Sequence, residues 1–591
     1  MGGPRVCRVR PDLPAVDRLF DYEVPPDLLP VVRTGTIVRV ELGARRVRGW
    51  ITALDVEPET EVLRPLRRVS SAGPPASVVE LCDWIAWRWS GPPAIVLRAA
   101  SPANAVPPGT EGEERPGPRF TTELIVSPPA ADRRELVVSR LAAPGSTIVV
   151  VPDAGRSATF ARELRALGHA VAELGTGQRD ADRSRGWAIA AAGGCVVVGG
   201  RSAVLAPVPD LASMVVLDEG DEAMKETRAP TWNARDVALE RARRNQVPMA
   251  VLTPAPTLEA LESSPVPRRP DRGAARSGWA QIEVIDPGDE APGRQLVTDR
   301  LTASIGATIS DDRRAVCVLN RKGRARLLIC DACGAVARCE RCGAAVIEAT
   351  DEHEGHPGTA LRCERCDLRR PSICAECNST VLRARRLGVS RVRDALAGVF
   401  PGVRVDEIDA ASERDAGVVD DAPIVVGTEA ALHRVRSPVG LVAFLEFDQE
   451  LLATRYRASE QALWLLVRAS RLVGGRRGRV VVQTRVPDHE VVRAARATDP
   501  AIVSASERER RSQLRFPPYG GLAELSGAET AVEAATNILR GAGIDVLGSE
   551  GARALVRARS PEVLADQLAA VDLAEARAHG RLRVEVEPLR V

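Results

Sequence analysis

Apolar positions in this chain follow two patterns, and the change between them divides the molecule. Up to about residue 56 they alternate with polar ones, as in RVCRVRPDL (5–13), LFDYEVP (19–25), GTIVRVELG (35–43) and VRGWITALDV (47–56). That period of two predicts short strands of a β-rich domain. SVVELCDWIAWRWS (77–90) then places its apolar residues at helical spacing. Beyond about residue 120 the strands become continuous apolar runs separated by amphipathic stretches. STIVVVPD (146–153), GCVVVGG (194–200), SMVVLDEGDEA (213–223) and PMAVLTPAP (248–256) form one series. QIEVIDPG (281–288), RRAVCVLN (313–320), PIVVGTEAALH (423–433), GLVAFLEFD (440–448) and GRVVVQTRVPD (478–488) form a second. Val-rich runs bounded by helices predict parallel sheets buried on both faces.

The expected architecture is therefore multidomain α/β. A β-rich N-terminal domain (1–107) is followed by a Pro/Gly/Glu-rich linker (108–119) and a first parallel-sheet lobe (120–275). A second lobe (276–328 and 381–498) is interrupted by a cysteine-rich insertion (329–380), and a C-terminal α/β domain (499–591) completes the chain.

The insertion carries the strongest chemistry. Eight of twelve cysteines form four Cys-x-x-Cys pairs: Cys330/Cys333, Cys339/Cys342, Cys363/Cys366 and Cys374/Cys377. Two thiolates three positions apart on a tight knuckle supply half of a tetrahedral S4 site, so four pairs predict two structural Zn2+ ions. A disulfide framework is the competing reading, and nothing in the N-terminal residues looks secretory. His353 and His356, between the inner pairs, read as loop residues, because eight thiolates already saturate two ions. Spacing alone does not decide which pairs share an ion. Cys7, Cys82, Cys195 and Cys317 stand alone and are expected to be buried as small hydrophobes.

Composition narrows the partners. Apolar residues make up 45% of the chain but aromatics only 3%, so the cores must be built from Val, Leu and Ala. The net charge is +2, and Lys225 and Lys322 are the only lysines. With no global basic field, any nucleic-acid contact must come from local patches such as Arg45, Arg46 and Arg48. No apolar stretch approaches a membrane span, and a soluble cytoplasmic protein is expected.

Tandem parallel-sheet lobes suggest a nucleic-acid-dependent motor, yet the phosphate chemistry is missing. A phosphate-binding loop needs glycines whose N–H groups face the ligand, followed by Lys and Ser/Thr. The corresponding stretch reads SPPAADRRELVV (127–138), with no glycine and with two prolines that lack a donor. Asp218 and Glu219, at the end of VVLDEGD, read either as magnesium-holding acids or as solvated loop acids. Without the loop, the solvated reading is preferred.

The ordered set of fragments resembles the primosomal protein N′ (PriA) family of replication-restart helicases. Its members unwind DNA 3′→5′ and recognise stalled forks. LFDYEVP, GGRSAVLAPVP (199–209), VVLDEGDEAMKE, LNRKGRAR (319–326), the eight cysteines, VGTEAALH (426–433), YRASEQALWLL (456–466) and LRFPPYGGL (514–522) occur in family order. The resemblance implies RecA-like lobes and pairing of the outer two cysteine pairs on one zinc and the inner two on the other. It also implies a pocket for a 3′ DNA end at Phe20, Asp21, Tyr22 and Arg64. Implied partners are forked DNA, the loading machinery of the replicative helicase and single-strand-binding protein.

ATP and Mg2+ are implied as well, but their residues have gone. The family's Lys-Thr is Arg133-Arg134, its motif His is Asp221, and its Ser-Ala-Thr is Thr253 to Ala255. Its motif Gln is Arg468, and its two finger arginines are Leu472 and Gly475. The linker stands where the family has a winged-helix domain. The expectation is thus a fork-binding restart protein without ATPase activity. An active helicase with a rebuilt nucleotide site, or a zinc scaffold without a DNA role, are the alternatives.

Overall fold

The computed structural model describes residues 5–60, 62–108, 117, 119–142, 144–152, 154–175, 177–289, 297–319, 327–351, 358–384, 389–408, 422–436 and 439–591. Most of the expected linker, His353, His356 and most of LNRKGRAR lie outside these residues.

The alternating N-terminal pattern folds as a six-stranded sheet of Val6–Pro11, Phe20–Glu23, Ile37–Leu42, Arg45–Leu54, Arg64–Pro65 and Arg68–Ser71. In chain order, its strands lie 5-2-1-4-3-6. One face buries Cys7, Val9, Tyr22, Val38, Val40 and Ile51. The helices Ala76–Arg88 and Pro93–Ala100 join a different core, which they share with the first parallel-sheet lobe and the C-terminal domain. Trp50 links the two units, its indole N–H donating to Ser101 Oγ at 2.9 Å.

The continuous apolar runs form two fully parallel six-stranded sheets. The first contains Thr121–Val126, Ser146–Val150, Val171–Leu174, Val196–Gly199, Leu211–Leu217 and Pro248–Thr253. The second contains Gln281–Ile285, Arg314–Val318, Val405–Ile408, Ile424–Gly427, Val439–Phe444 and Arg479–Gln483. Counted within each lobe, both sheets have the spatial order 1-6-5-2-4-3. This shared topology, independent of any sequence match between the halves, makes the lobes a structural tandem.

The cysteine-rich module leaves the second sheet after its second strand and returns before its third. Its base is closed by the antiparallel pair Leu328–Cys330 and Leu382–Ala384. Arg365 ties the module back to the lobe by donating to the carbonyls of Ala453 (2.5 Å) and Thr454 (3.3 Å). The C-terminal domain is a four-stranded antiparallel sheet, Gly521–Gly527, Asp545–Glu550, Arg553–Ala558 and Leu582–Val586, backed by helices. The four isolated cysteines are all buried. Among the described residues, no helix is long and apolar enough to cross a membrane.

Candidate functional site

The cleft between the lobes is where a motor would hold nucleotide, and here its groups are already committed to one another. The loop after Thr121–Val126 spends several of its donors on protein. Ser127 N–H bonds Thr253 O (3.0 Å), Ala130 N–H bonds Gly278 O (3.0 Å), Ala131 N–H bonds Pro128 O (3.1 Å) and Arg134 N–H bonds Asp132 Oδ1 (3.0 Å). Pro128 and Pro129 have none to give. Four amides of this stretch are thus engaged within the protein.

Asp218 is not a solvated loop acid. Its side chain is 1% exposed, and it adopts a left-handed backbone with φ of 55°. Arg133 grips it bidentately at 2.7 and 3.1 Å. Arg471, from the second lobe, reaches across to the same carboxylate at 2.5 Å while donating Nε to Pro129 O at 2.9 Å. Arg156 stands 3.6 Å away. Burial alone would raise the carboxyl pKa, but the Arg133 and Arg471 guanidiniums outweigh it and hold it well below the usual carboxylate range. Burial pushes the Arg471 guanidinium down to about 10, against the pull of Asp218. The oxygens that would face a magnesium ion and its water are therefore occupied by cationic side chains.

Glu219 is buried as well. It accepts from Thr257 N–H and Thr257 Oγ1, both at 2.8 Å, and from Arg235 at 3.2 Å. Its pKa is pushed up to about 6 by burial, with Arg235 opposing the shift. Further pairs stitch the lobes together. Arg468 bonds Asp221 at 3.1 Å and also pairs with Glu429, Arg457 pairs with Glu259, and Glu460 accepts the Leu258 N–H at 3.1 Å. Arg511 is fully buried and meets Glu460 at 2.6 Å and Glu507 at 2.8 Å. A cleft of about 970 Å3 remains beside Arg133, Arg156, Phe160, Arg436 and Arg471.

The sequence reading found the loss of Leu472 and Gly475 as arginine fingers but missed Arg471. The one signal for it was that Arg468 and Arg471, three apart on the helix Ala458–Leu472, share one face. Periodicity does not say where that face points.

The eight paired cysteines gather into two sets of four. Cys330, Cys333, Cys374 and Cys377 form one, and Cys339, Cys342, Cys363 and Cys366 the other, with the sulfurs of each set within 4.8 Å of one another. Closest pairs run from 3.4 to 3.6 Å. The outer knuckles therefore share one site and the inner knuckles the other. Four sulfurs converging without a disulfide are a donor set that fits a tetrahedral metal ion.

At the N-terminal domain, Tyr22 and Arg64 are register partners on adjacent strands. Tyr22 is buried, its hydroxyl donating to Glu41 O at 2.9 Å, and Arg64 donates to Gly43 O at 3.0 Å. Phe20 is partly buried on the same face, with the Arg18 guanidinium 5.6 Å from its ring. Strand alternation turns Asp21 to the other face. There it accepts both arms of Arg8 at 2.8 and 3.0 Å and the Glu59 N–H at 2.9 Å. The Arg8 hydrogen bond holds its pKa below the ordinary value. Phe20, Tyr22 and Arg64 thus lie together, with Asp21 on the opposite side of the strand.

Known proteins resemble this chain over its N-terminal domain and over most of its length. The family described as 3′DNA-binding domain (3′BD) matches residues 8–102. The replication restart protein PriA of Synechocystis is 27% identical over 411 residues, covering 65% of this chain and 49% of the relative. Probable replication restart proteins PriA of Mycobacterium tuberculosis and Mycobacterium leprae are 29% and 30% identical, each match covering 88% of this chain and 86% and 87% of the relative.

Proposed function

From a chain that belongs to the replication restart protein PriA family, we propose a fork-binding protein that works without hydrolysing ATP. The observation that carries this reading is the clamp of Arg133 and Arg471 on Asp218. Phosphoryl transfer relies on positioned phosphates, a metal held by a strand-end acid, and cations aimed at the transferred group. Here the acid's charge is spent internally, and the loop has two prolines and no glycine where a phosphate would sit.

The proposed task is recognition. The N-terminal domain takes a nascent 3′ end, with Phe20 as a stacking face beside Arg64 and Tyr22, a contact of about 1–3 kcal/mol per base. Asp21 would serve by fixing Arg8 and the strand, or by exchanging that partner for a terminal hydroxyl. The metal in each four-cysteine set is proposed to be Zn2+, since paired Cys-x-x-Cys knuckles closing an S4 tetrahedron are the donor set of structural zinc ribbons. Bound there, it would lock the knuckles. Recruitment of the replicative-helicase loader and of single-strand-binding protein, in the cytoplasm, belongs to the same proposal and is supported by family membership alone.

The test is a DNA-stimulated ATPase assay beside fork binding, using purified zinc-loaded protein and a fork with a free 3′ arm. Binding without turnover is expected, with the 3′ preference weakened by Phe20→Ala combined with Asp21→Ala. Turnover that Asp218→Ala abolishes would sink the reading.

A further inference from the structure

Arginines in this fold are generally tied to carboxylates, which makes one row of them conspicuous. Arg39 lies directly opposite Arg48 on one neighbouring strand and directly opposite Arg68 on the other. Three arginines therefore stand in line across the N-terminal sheet, at about 5 Å per step between opposed Cα atoms. Their neighbours Val38 and Val40 point into the core, so the row lies on the opposite face. Beyond it, Ile37 and Trp50 on the same face are covered by the helices that follow.

Among the described residues, none of the three makes an ion pair. The nearby acids are taken: Asp12 is paired with Arg98, and Glu41 with Arg67 at 2.7 Å and Arg46 at 3.8 Å. Arg48 rests over the Trp50 ring at 5.3 Å, with its Nε buried and unbonded. Arg39 and Arg68 are exposed. Like charges directly opposed on a sheet are destabilising in the free protein. An anionic partner laid across the strands would reverse that sign.

We propose that the Arg48–Arg39–Arg68 row is a docking track for the phosphodiester backbone of a DNA strand, separate from the pocket at Phe20, Tyr22 and Arg64. Three positive charges in a line, with an aromatic ring beneath one of them, suit a linear polyanion. The row is suited to phosphate, because the acids nearest it, Asp12 and Glu41, are spent on other arginines and offer no free acceptor to a base edge. It would hold the strand behind its end while the pocket takes the terminus. This inference rests on the fork-binding reading and adds a second contact surface to it.

The experiment compares full-length protein with the double variant Arg39→Gln, Arg68→Gln, both at exposed sites. Affinity for a fork is measured between 50 and 200 mM salt. Each neutralised phosphate contributes a slope of about −0.9 in log K against log salt on duplex and about −0.7 on single strand. The variant should therefore lose about 1.8 units of slope on a duplex arm, or about 1.4 on a single-stranded arm. The loss should be the same for 3′-hydroxyl and 3′-phosphate ends, and the melting temperature should hold or rise as like-charge repulsion is relieved.

An unchanged slope with intact wild-type binding would overturn the track while leaving the fork-binding reading standing. A loss confined to 3′-hydroxyl ends would assign the arginines to the pocket instead. Lost binding of a glutamate-rich peptide with unchanged DNA binding would identify an acidic protein as the partner. Absence of DNA binding in the wild type would overturn both readings.

Discussion

Asp218→Asn separates the two meanings of the interlobe cleft. In the structure this carboxylate is 1% exposed and accepts from both Arg133 and Arg471, whose side chains are 12% and 8% exposed. Asparagine keeps the shape and removes the charge, leaving two guanidiniums buried with one neutral oxygen between them. Removing one partner of a buried ion pair costs about 3–5 kcal/mol. At about 2 °C per kcal/mol for a large cooperative unit, the melting temperature of the lobes should fall by about 6–10 °C. Arg471→Met should lose much of the same energy, so the double variant should fall short of the sum by about 1–3 kcal/mol. Differential scanning calorimetry on all four proteins measures this directly. A magnesium-holding acid behaves differently, since substituting it removes turnover with little effect on stability. An Asp218→Asn protein that melts within about 1 °C of wild type would refute the clamp.

Other outcomes follow from the same geometry. Elemental analysis should find about two metal ions per chain, falling to one in Cys374→Ser, with hydrogen exchange rising around 328–384 and little change in the parallel sheets. Arg511→Met removes a fully buried cation from Glu460 and Glu507 and should destabilise by about 3–5 kcal/mol in thermal unfolding. Lys225 is pushed down to about 8 by burial, against the pull of Glu587 and Glu585. Between pH 8 and 10.5 the unfolded chain then binds more protons at this lysine than the folded one, so its penalty fades as pH rises. Wild type should gain up to about 3 kcal/mol relative to Lys225→Met across that window, read from melting temperature against pH.

Sequence reading reached the two parallel sheets because unbroken Val runs leave few alternatives. It reached the two four-cysteine sets because Cys-x-x-Cys spacing is a local geometric constraint. It failed where the partner is distant. Asp218 and Arg471 are 253 positions apart, and nothing local to VVLDEGD signals that its first acid is buried under a helix of the other lobe. The same limit hid the packing of Ala76–Arg88 against the first lobe and the C-terminal domain, because helical periodicity gives an apolar face but not its occupant. The arginine row was half visible. Arg48 stood out in ARRVRGW, whereas Arg39 and Arg68 joined it only through strand register.

The ion pairs across the cleft bear on what the lobes are for. Buried pairs are poor sources of net stability, because desolvating both charges offsets most of their attraction. Their clearer effect is on the states they forbid. A motor cycles because nucleotide binds one arrangement of its lobes more tightly than another. Opening this cleft would instead separate Arg471 from Asp218, Arg468 from Asp221 and Arg457 from Glu259, leaving Asp218 to Arg133, Arg468 to Glu429 and Arg457 to Glu460. A charge that reaches water on opening costs little, whereas one that stays buried without its partner costs about 3 kcal/mol or more, so the pairs penalise partly opened arrangements most. On the proposed recognition role, the tandem lobes keep this one arrangement. That arrangement would hold the N-terminal domain, the four-cysteine module and the C-terminal domain at fixed separations, as the proposed fork-recognition scaffold requires.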